Sequence, residues 1–342
     1  DLRTGSIVRS VNIPAPSGVS FAVGDIAVVD VDNDYQDDVI YFGVYGKTNT
    51  SMFWGSFYRL SLKSGSGYKS VSALTSSDIC TAIDLSTFAT GGNTPPVFGA
   101  PNFTKDENGN LWVFFGTGRY LMDSSDKAIP YNNYLIGFKD ENWNSSSSTC
   151  PTPYEITMLD SVTNEPLHIT ITRVKQICMC DASGCGMRDV VYGAYSSGMP
   201  PEPSRGWYYT LPGEAIYSQP IVIGGMLDAL TYVPPKDICQ FEDSSNLISV
   251  YYKTGRPYPR PSVLSPNAVS GTIAVGQTVQ LRQKISVGQG VPPIGNPFQV
   301  LQSSQASRQL EKFVQISTGV VLRITQQKAV TSEERFVLWI EK

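Results

Sequence analysis

Four of the five aspartates within one nine-residue stretch carry the clearest chemical potential in this chain. They stand at the first, third, fifth and ninth positions of Asp30-Val31-Asp32-Asn33-Asp34-Tyr35-Gln36-Asp37-Asp38. Their chemistry is the capture of one cation by hard oxygen donors, with the Gln36 carbonyl as a natural fifth ligand. Calcium is the ion that accepts this many carboxylate and carbonyl oxygens in a flexible loop. Without an ion the carboxylates repel one another and splay the turn. The loop departs from an EF-hand: Tyr35 stands where a Gly usually eases the sharp turn, and Tyr41 stands where a bidentate Glu would close the site. Asp38 must then complete the ligand set, and a left-handed backbone at Tyr35 would cost about 1 kcal/mol or more.

The flanks say what positions this loop. Ile26-Ala27-Val28-Val29 precedes it and Val39-Ile40-Tyr41-Phe42-Gly43 follows, so the loop joins two short β-strands. Similar units recur along the chain. Asp1 to Gly5, Tyr58 to Gly65 and Ile248 to Gly255 each end an alternating strand on a basic or polar residue and Gly, and Tyr134 to Asp140 is a looser copy. Upstream, Pro96 to Pro101 leads into Leu111 to Gly116, and Gln219 to Gly225 leads into Leu227 to Val233. The unit reads as strand, hairpin, strand, loop, outer strand and Thr-Gly turn. Short strands with Gly-aromatic punctuation predict an all-β, modified β-propeller with about four strands per blade, long insertions and few short helices. A sandwich is the alternative. One such domain covers 1–342, with closing strands in 256–342, among them Val320 to Thr325 and Phe336 to Ile340, which would complete a blade begun elsewhere. A helix is expected over Ser303 to Gln315, where Leu310, Phe313 and Val314 share a helical face. Asn142 to Thr149 reads as a polar loop, and the prolines of Pro200 to Pro203 and Pro257 to Pro266 exclude helix there.

Composition narrows the function classes. Charged residues make up only 16%, and the net charge of −4 argues against a nucleic-acid surface, which needs a basic stripe. No apolar run approaches the roughly 20 residues of a membrane span. The chain opens at Asp1 without an initiator Met and reads as the C-terminal part of a longer protein. Six cysteines (Cys80, Cys150, Cys178, Cys180, Cys185 and Cys239) are compatible with disulfides and an oxidising compartment. A soft-metal cluster at Cys178, Cys180 and Cys185 is the weaker reading, because paired zinc-ribbon spacing is absent.

Catalysis is poorly served. His168 is the single histidine, and its surroundings, Leu167 to Thr172, alternate like a strand. Triad and Cys-His schemes all depend on it. Gly116-Thr117-Gly118-Arg119-Tyr120 superficially resembles a phosphate-cradling loop but lacks the following Lys-Ser/Thr, so a β-turn is expected. Arg119, Arg188 and Arg205 are expected to be solvated or paired with acids.

Several stretches together resemble the C-terminal propeller domain of PilC/PilY-type proteins of bacterial type IV pili. They are the strand-flanked loop Asp30 to Asp38, then Val113-Phe114-Phe115-Gly116-Thr117-Gly118-Arg119-Tyr120-Leu121, then Gly206 to Glu214, and Pro220 to Gly225 with Cys239 beyond. The resemblance runs in order across about residues 1–255. It implies a non-enzymatic propeller of a pilus-tip protein, acting in pilus assembly and extension, surface adhesion and twitching motility, with Ca2+ as a conformational control. The implied ligands are Asp30, Asp32, Asp34 and Asp38 by side chain and Gln36 by main-chain oxygen. The implied partners are minor pilins and the pilus-tip complex, and a host or abiotic surface reached through an upstream region. The implied location is the cell surface, after export through the periplasm. Two other readings compete. A quinoprotein dehydrogenase shares Thr-Gly strand ends, but often carries adjacent cysteines that this chain lacks. An integrin-like propeller would repeat the acidic loop, and this chain has one.

Overall fold

A computed structural model describes residues 3–64, 67–121, 129–144, 150–163, 167–181, 184–196, 200–235, 243–258, 274–281, 283–302, 309–319 and 321–327. The first sheet is an antiparallel array of β1 (Val19–Val29), β2 (Val39–Thr48), β3 (Phe53–Ser61) and β6 (Ile79–Ile83), in that order. A small hairpin, β4 (Lys63–Ser64) and β5 (Gly67–Tyr68), leaves the end of β3. The second sheet is built on β7 (Asn102–Lys105), β8 (Leu111–Gly116) and β9 (Asn133–Lys139), extended by β13 (Gly206–Leu211) and the short β10 (Asp160–Val162). Between β10 and β13 the chain makes a long hairpin, β11 (Leu167–Asp181) and β12 (Gly184–Tyr195), joined by β17 (Thr278–Leu281). The next four-stranded sheet is β14 (Ile221–Ile223), β15 (Met226–Val233), β16 (Ser244–Tyr251) and β18 (Lys284–Gln289). A three-stranded meander follows, β19 (Phe298–Gln302), β20 (Gln309–Gln315) and β21 (Val321–Gln327).

Three successive cores join the first sheet, the second sheet, the β14–β18 sheet and the meander in chain order, and the strand sequences explain why. Every residue of β8 is buried, which a one-faced alternating strand would not require. Leu111, Val113 and Phe115 point into a core shared with Val39, Tyr41 and Phe57 of the first sheet. Trp112 and Phe114, on the opposite parity, enter a core with Leu227, Ile248 and Val250 of the β14–β18 sheet. One strand thus feeds two cores through its two-residue period. The first core closes with the Phe57 and Phe115 rings stacked at 3.9 Å. A third core joins Leu230, Leu247 and Val287 to Phe298, Val314 and Ile316 of the meander. This succession of small twisted sheets is the propeller-like arrangement expected from the repeats. Helical structure among the described residues is limited to single short turns such as Leu85–Phe88, and no helix there is long and apolar enough to cross a membrane.

The repeat extends to the connections between sheets. A Cβ on Gly43 of β2 would fall 2.2 Å from Val97, in the segment running from the first sheet to the second. Gly116 of β8 stands in the same relation to Ile216, which leads into the following sheet, again at 2.2 Å. Each glycine lets the outgoing chain cross directly over the strand.

Some expectations are corrected. Within Ser303 to Gln315, the described residues 309–315 form strand β20, not a helix. The Leu310, Phe313 and Val314 spacing suits a helix, but Lys312, Val314 and Ile316 are the buried set and alternate along a strand. Lys312 pairs there with buried Asp228 across the sheets. Gly116 to Tyr120 is not a β-turn: Gly116 ends β8 and Gly118 bridges Val97 in parallel extended chain. Arg119 is buried, not solvated, with its guanidinium 4.7 Å from the centre of the Phe53 ring. Arg205 is exposed as expected, and the Arg188 side chain lies outside the described residues. β21 pairs with β20 of its own meander, whereas Phe336 to Ile340 lies outside the described residues. Of the cysteines, Cys80 and Cys150 form a disulfide that ties β6 to the chain after the second sheet's inner strands. Cys239 and the side chains of Cys178, Cys180 and Cys185 lie outside the described residues.

Candidate metal centre

The acidic loop joins β1 to β2, as its apolar flanks predict. The two strands pair from Val29 and Val39 upward, so their register brings the loop's ends together. Asp38 N–H donates to the Val29 carbonyl at 2.8 Å, and the Asp38 carbonyl accepts from Leu62 N–H at 2.8 Å. The last carboxylate is therefore held on the backbone of both β1 and the chain leaving β3, and it is fully buried.

Within the loop the carboxylates first organise the backbone. Asp30 Oδ1 accepts from Asn33 N–H at 2.7 Å and its Oδ2 from Tyr35 N–H at 2.9 Å. Asp34 Oδ1 accepts from Gln36 N–H at 2.9 Å. Asp38 Oδ2 reaches back to Val31 N–H at 2.6 Å. To make these contacts the chain turns through left-handed conformations at Asn33 (φ 60°) and Tyr35 (φ 69°). Asn tolerates this region, but for Tyr it is strained. The strain anticipated at Tyr35 is present, with the ring turned out into solvent.

Three of the expected ligands converge. Asp30, Asp32 and Asp38 each present an oxygen, and these oxygens lie within 4.8 Å of one another. Asp34 stands beside this group, linked to it by Tyr68, whose hydroxyl contacts Asp34 Oδ2 at 2.8 Å and Asp38 Oδ1 at 2.9 Å. Gln36 is exposed and adjoins the cluster through Asp34.

Sequence reasoning missed two participants. Lys63, on β4, places its ammonium 2.5 Å from Asp32 Oδ2 and 3.0 Å from Asp38 Oδ1. Tyr68 sits opposite it on β5. The hydrogen bond to Asp32, and then contacts with Asp38, raise the Lys63 pKa against a desolvation that works the other way. Desolvation and the bonds to Asp34 and Asp38 raise that of the Tyr68 phenol. Lys105 also approaches, donating to the Val31 carbonyl at 2.8 Å. A signal for Lys63 is present in the repeated unit, which places a basic residue two positions before the Gly at the end of its strand.

The donor set consists of hard oxygens, and a cationic group already rests among them, so the residues fit a hard cation. Two other copies of the strand-end lysine serve different acids. Lys253 pairs with Glu107 at 2.5 Å, and Lys139 pairs with Glu202 at 2.7 Å. His168 lies exposed on β11, with its carbonyl accepting from Ser196 N–H at 2.9 Å.

Comparison with known proteins adds the fold. No protein-family model and no curated protein matches the chain. Among solved structures, it is similar to the crystal structure of the Pseudomonas aeruginosa PilY1 C-terminal domain, with 18% sequence identity and a TM-score of 0.55 over 95% of this chain. The chain spans 64% of the length of that structure's chain. This 342-residue chain thus has the propeller-like fold of the PilY1 C-terminal domain.

Proposed function

We propose that this chain is a calcium-binding, non-enzymatic propeller of a type IV pilus-associated protein. In this reading Asp30, Asp32, Asp34 and Asp38 bind Ca2+ by side chain and Gln36 by its main-chain oxygen. The observation that carries it is the convergence of the Asp30, Asp32 and Asp38 oxygens within 4.8 Å. Calcium bound there neutralises the repelling carboxylates and orders the loop, so its occupancy acts as a conformational control. The domain would act in pilus assembly and extension, in surface adhesion and in twitching motility. Its partners would be minor pilins of the tip complex, and a host or abiotic surface would be engaged through an upstream region. The Cys80–Cys150 disulfide supports a place outside the cytoplasm, since such bonds persist in oxidising compartments.

Calorimetric titration of the chain with calcium tests the site. The expected result is single-site binding by the wild type and its loss in Asp38→Ala. Equal affinity in the two proteins would remove Asp38 from the ligand set and with it this assignment.

A further inference from the structure

We propose that Lys63 is a built-in counter-cation of the acidic loop, displaced when calcium binds, so that metal occupancy controls the β4–β5 hairpin. The inference rests on the calcium reading above and adds a means of control to that site. Lys63 contacts Asp32 and Asp38 at 2.5 and 3.0 Å, two of the residues assigned to the ion. A lysine ammonium and a calcium ion cannot both sit at contact distance from the same pair of carboxylates without strong repulsion. One must leave, and Lys63 can: its charge rides on a flexible four-carbon stem.

The surroundings show that the lysine is held in place. Its side chain is only 12% exposed and its partner Asp38 is fully buried. Its ammonium lies 5.1 Å from the centre of the Tyr68 ring and 5.6 Å from that of Trp143. Lys63 and Tyr68 are register partners across the hairpin, and together they contact Asp32, Asp34 and Asp38. The hairpin is thus fastened to the loop through carboxylates assigned to the ion. Lys69, just beyond the same hairpin, points elsewhere and pairs with Asp78 at 2.7 Å. It provides an internal control with the same charge and no contact with the loop carboxylates.

The account predicts that Lys63→Met binds calcium about tenfold or more tightly than wild type, because no internal cation has to be expelled. Lys63→Arg retains the competitor and Lys69→Met retains Lys63, so each should stay within about threefold of wild type. Lys63→Gln should follow Lys63→Met and guards against misfolding of the latter. A second readout is tryptophan emission. Calcium should change it in wild type as the cation leaves the Trp143 ring, and Lys63→Met and Trp143→Phe should each abolish that change. Equal or weaker calcium binding by both Lys63→Met and Lys63→Gln would overturn the proposal. So would an equal gain in Lys69→Met, which would reduce the effect to the general field. Absence of calcium binding in wild type and Lys63→Met alike would overturn the calcium reading itself, and this inference with it.

Discussion

The loop from β1 to β2 and the loop from β7 to β8 occupy the same place in successive sheets, and each begins with an aspartate that shapes its own turn. They differ in how their negative charge is satisfied. Asp106 Oδ1 accepts the backbone N–H groups of Asn108 and Asn110, each at 2.9 Å. Its Oδ2 accepts the Asn110 amide at 2.8 Å and the Trp112 indole at 3.2 Å. Burial opposes the Asp106 charge, but the bonds from Asn110, Trp112 and Asn108 outweigh it and hold the carboxyl below its ordinary range. The Asp106 carboxylate is thus satisfied by neutral donors. The Asp30 loop repeats its carboxylates at 32, 34 and 38, and recruits Lys63 and Tyr68 from another hairpin. The Asp106 carboxylate is satisfied within its own turn, whereas the Asp32 and Asp38 carboxylates draw on the Lys63 cation from outside theirs.

The sharpest way to break this contrast is Asp38→Ala. It deprives the buried Val31 N–H of its acceptor and Lys63 of a buried partner, and should cost about 3 kcal/mol in denaturant unfolding under chelator. Asp106→Ala should cost about 2 kcal/mol, and by the same amount with calcium or chelator, because no metal takes part. The Asp106 contribution also has a defined pH window. A carboxyl whose folded pKa lies below its unfolded value stabilises fully above about pH 4, and loses that effect as pH falls toward the folded value. Unfolding of Asp106→Ala should therefore show a weaker acid dependence than wild type. The smallest effect is expected from Tyr35→Gly. Glycine adopts the left-handed φ of 69° without a Cβ penalty. Relief of about 1 kcal/mol or less should appear as a slightly higher denaturation midpoint.

The acidic loop was legible because its chemistry lies within nine consecutive residues and its flanks are unmistakably strand-like. The all-β class followed from the same local signals. What stayed hidden depends on residues that only folding brings together. Lys63 is separated from Asp32 by 31 residues and Tyr68 from Asp34 by 34, and no spacing rule joins them. The difference at Ser303 to Gln315 has a similar cause. Leu310, Phe313 and Val314 fit a helical stripe in isolation, but pairing with β19 and β21 and burial of Lys312 against Asp228 select the strand. Beside its glycines Arg119 reads as solvated or paired with an acid, whereas the fold buries it with its guanidinium against the ring of Phe53, on β3 of the first sheet.

Thermal unfolding in saturating calcium and in excess chelator tests the central contrast most directly, run in parallel on wild type, Asp38→Ala and Asp106→Ala. Calcium at about 100 times its Kd should stabilise a one-site protein by roughly 2.7 kcal/mol, which is a shift of several degrees. The account predicts that shift in wild type and in Asp106→Ala, and its absence in Asp38→Ala. Identical melting of wild type in calcium and in chelator would contradict it.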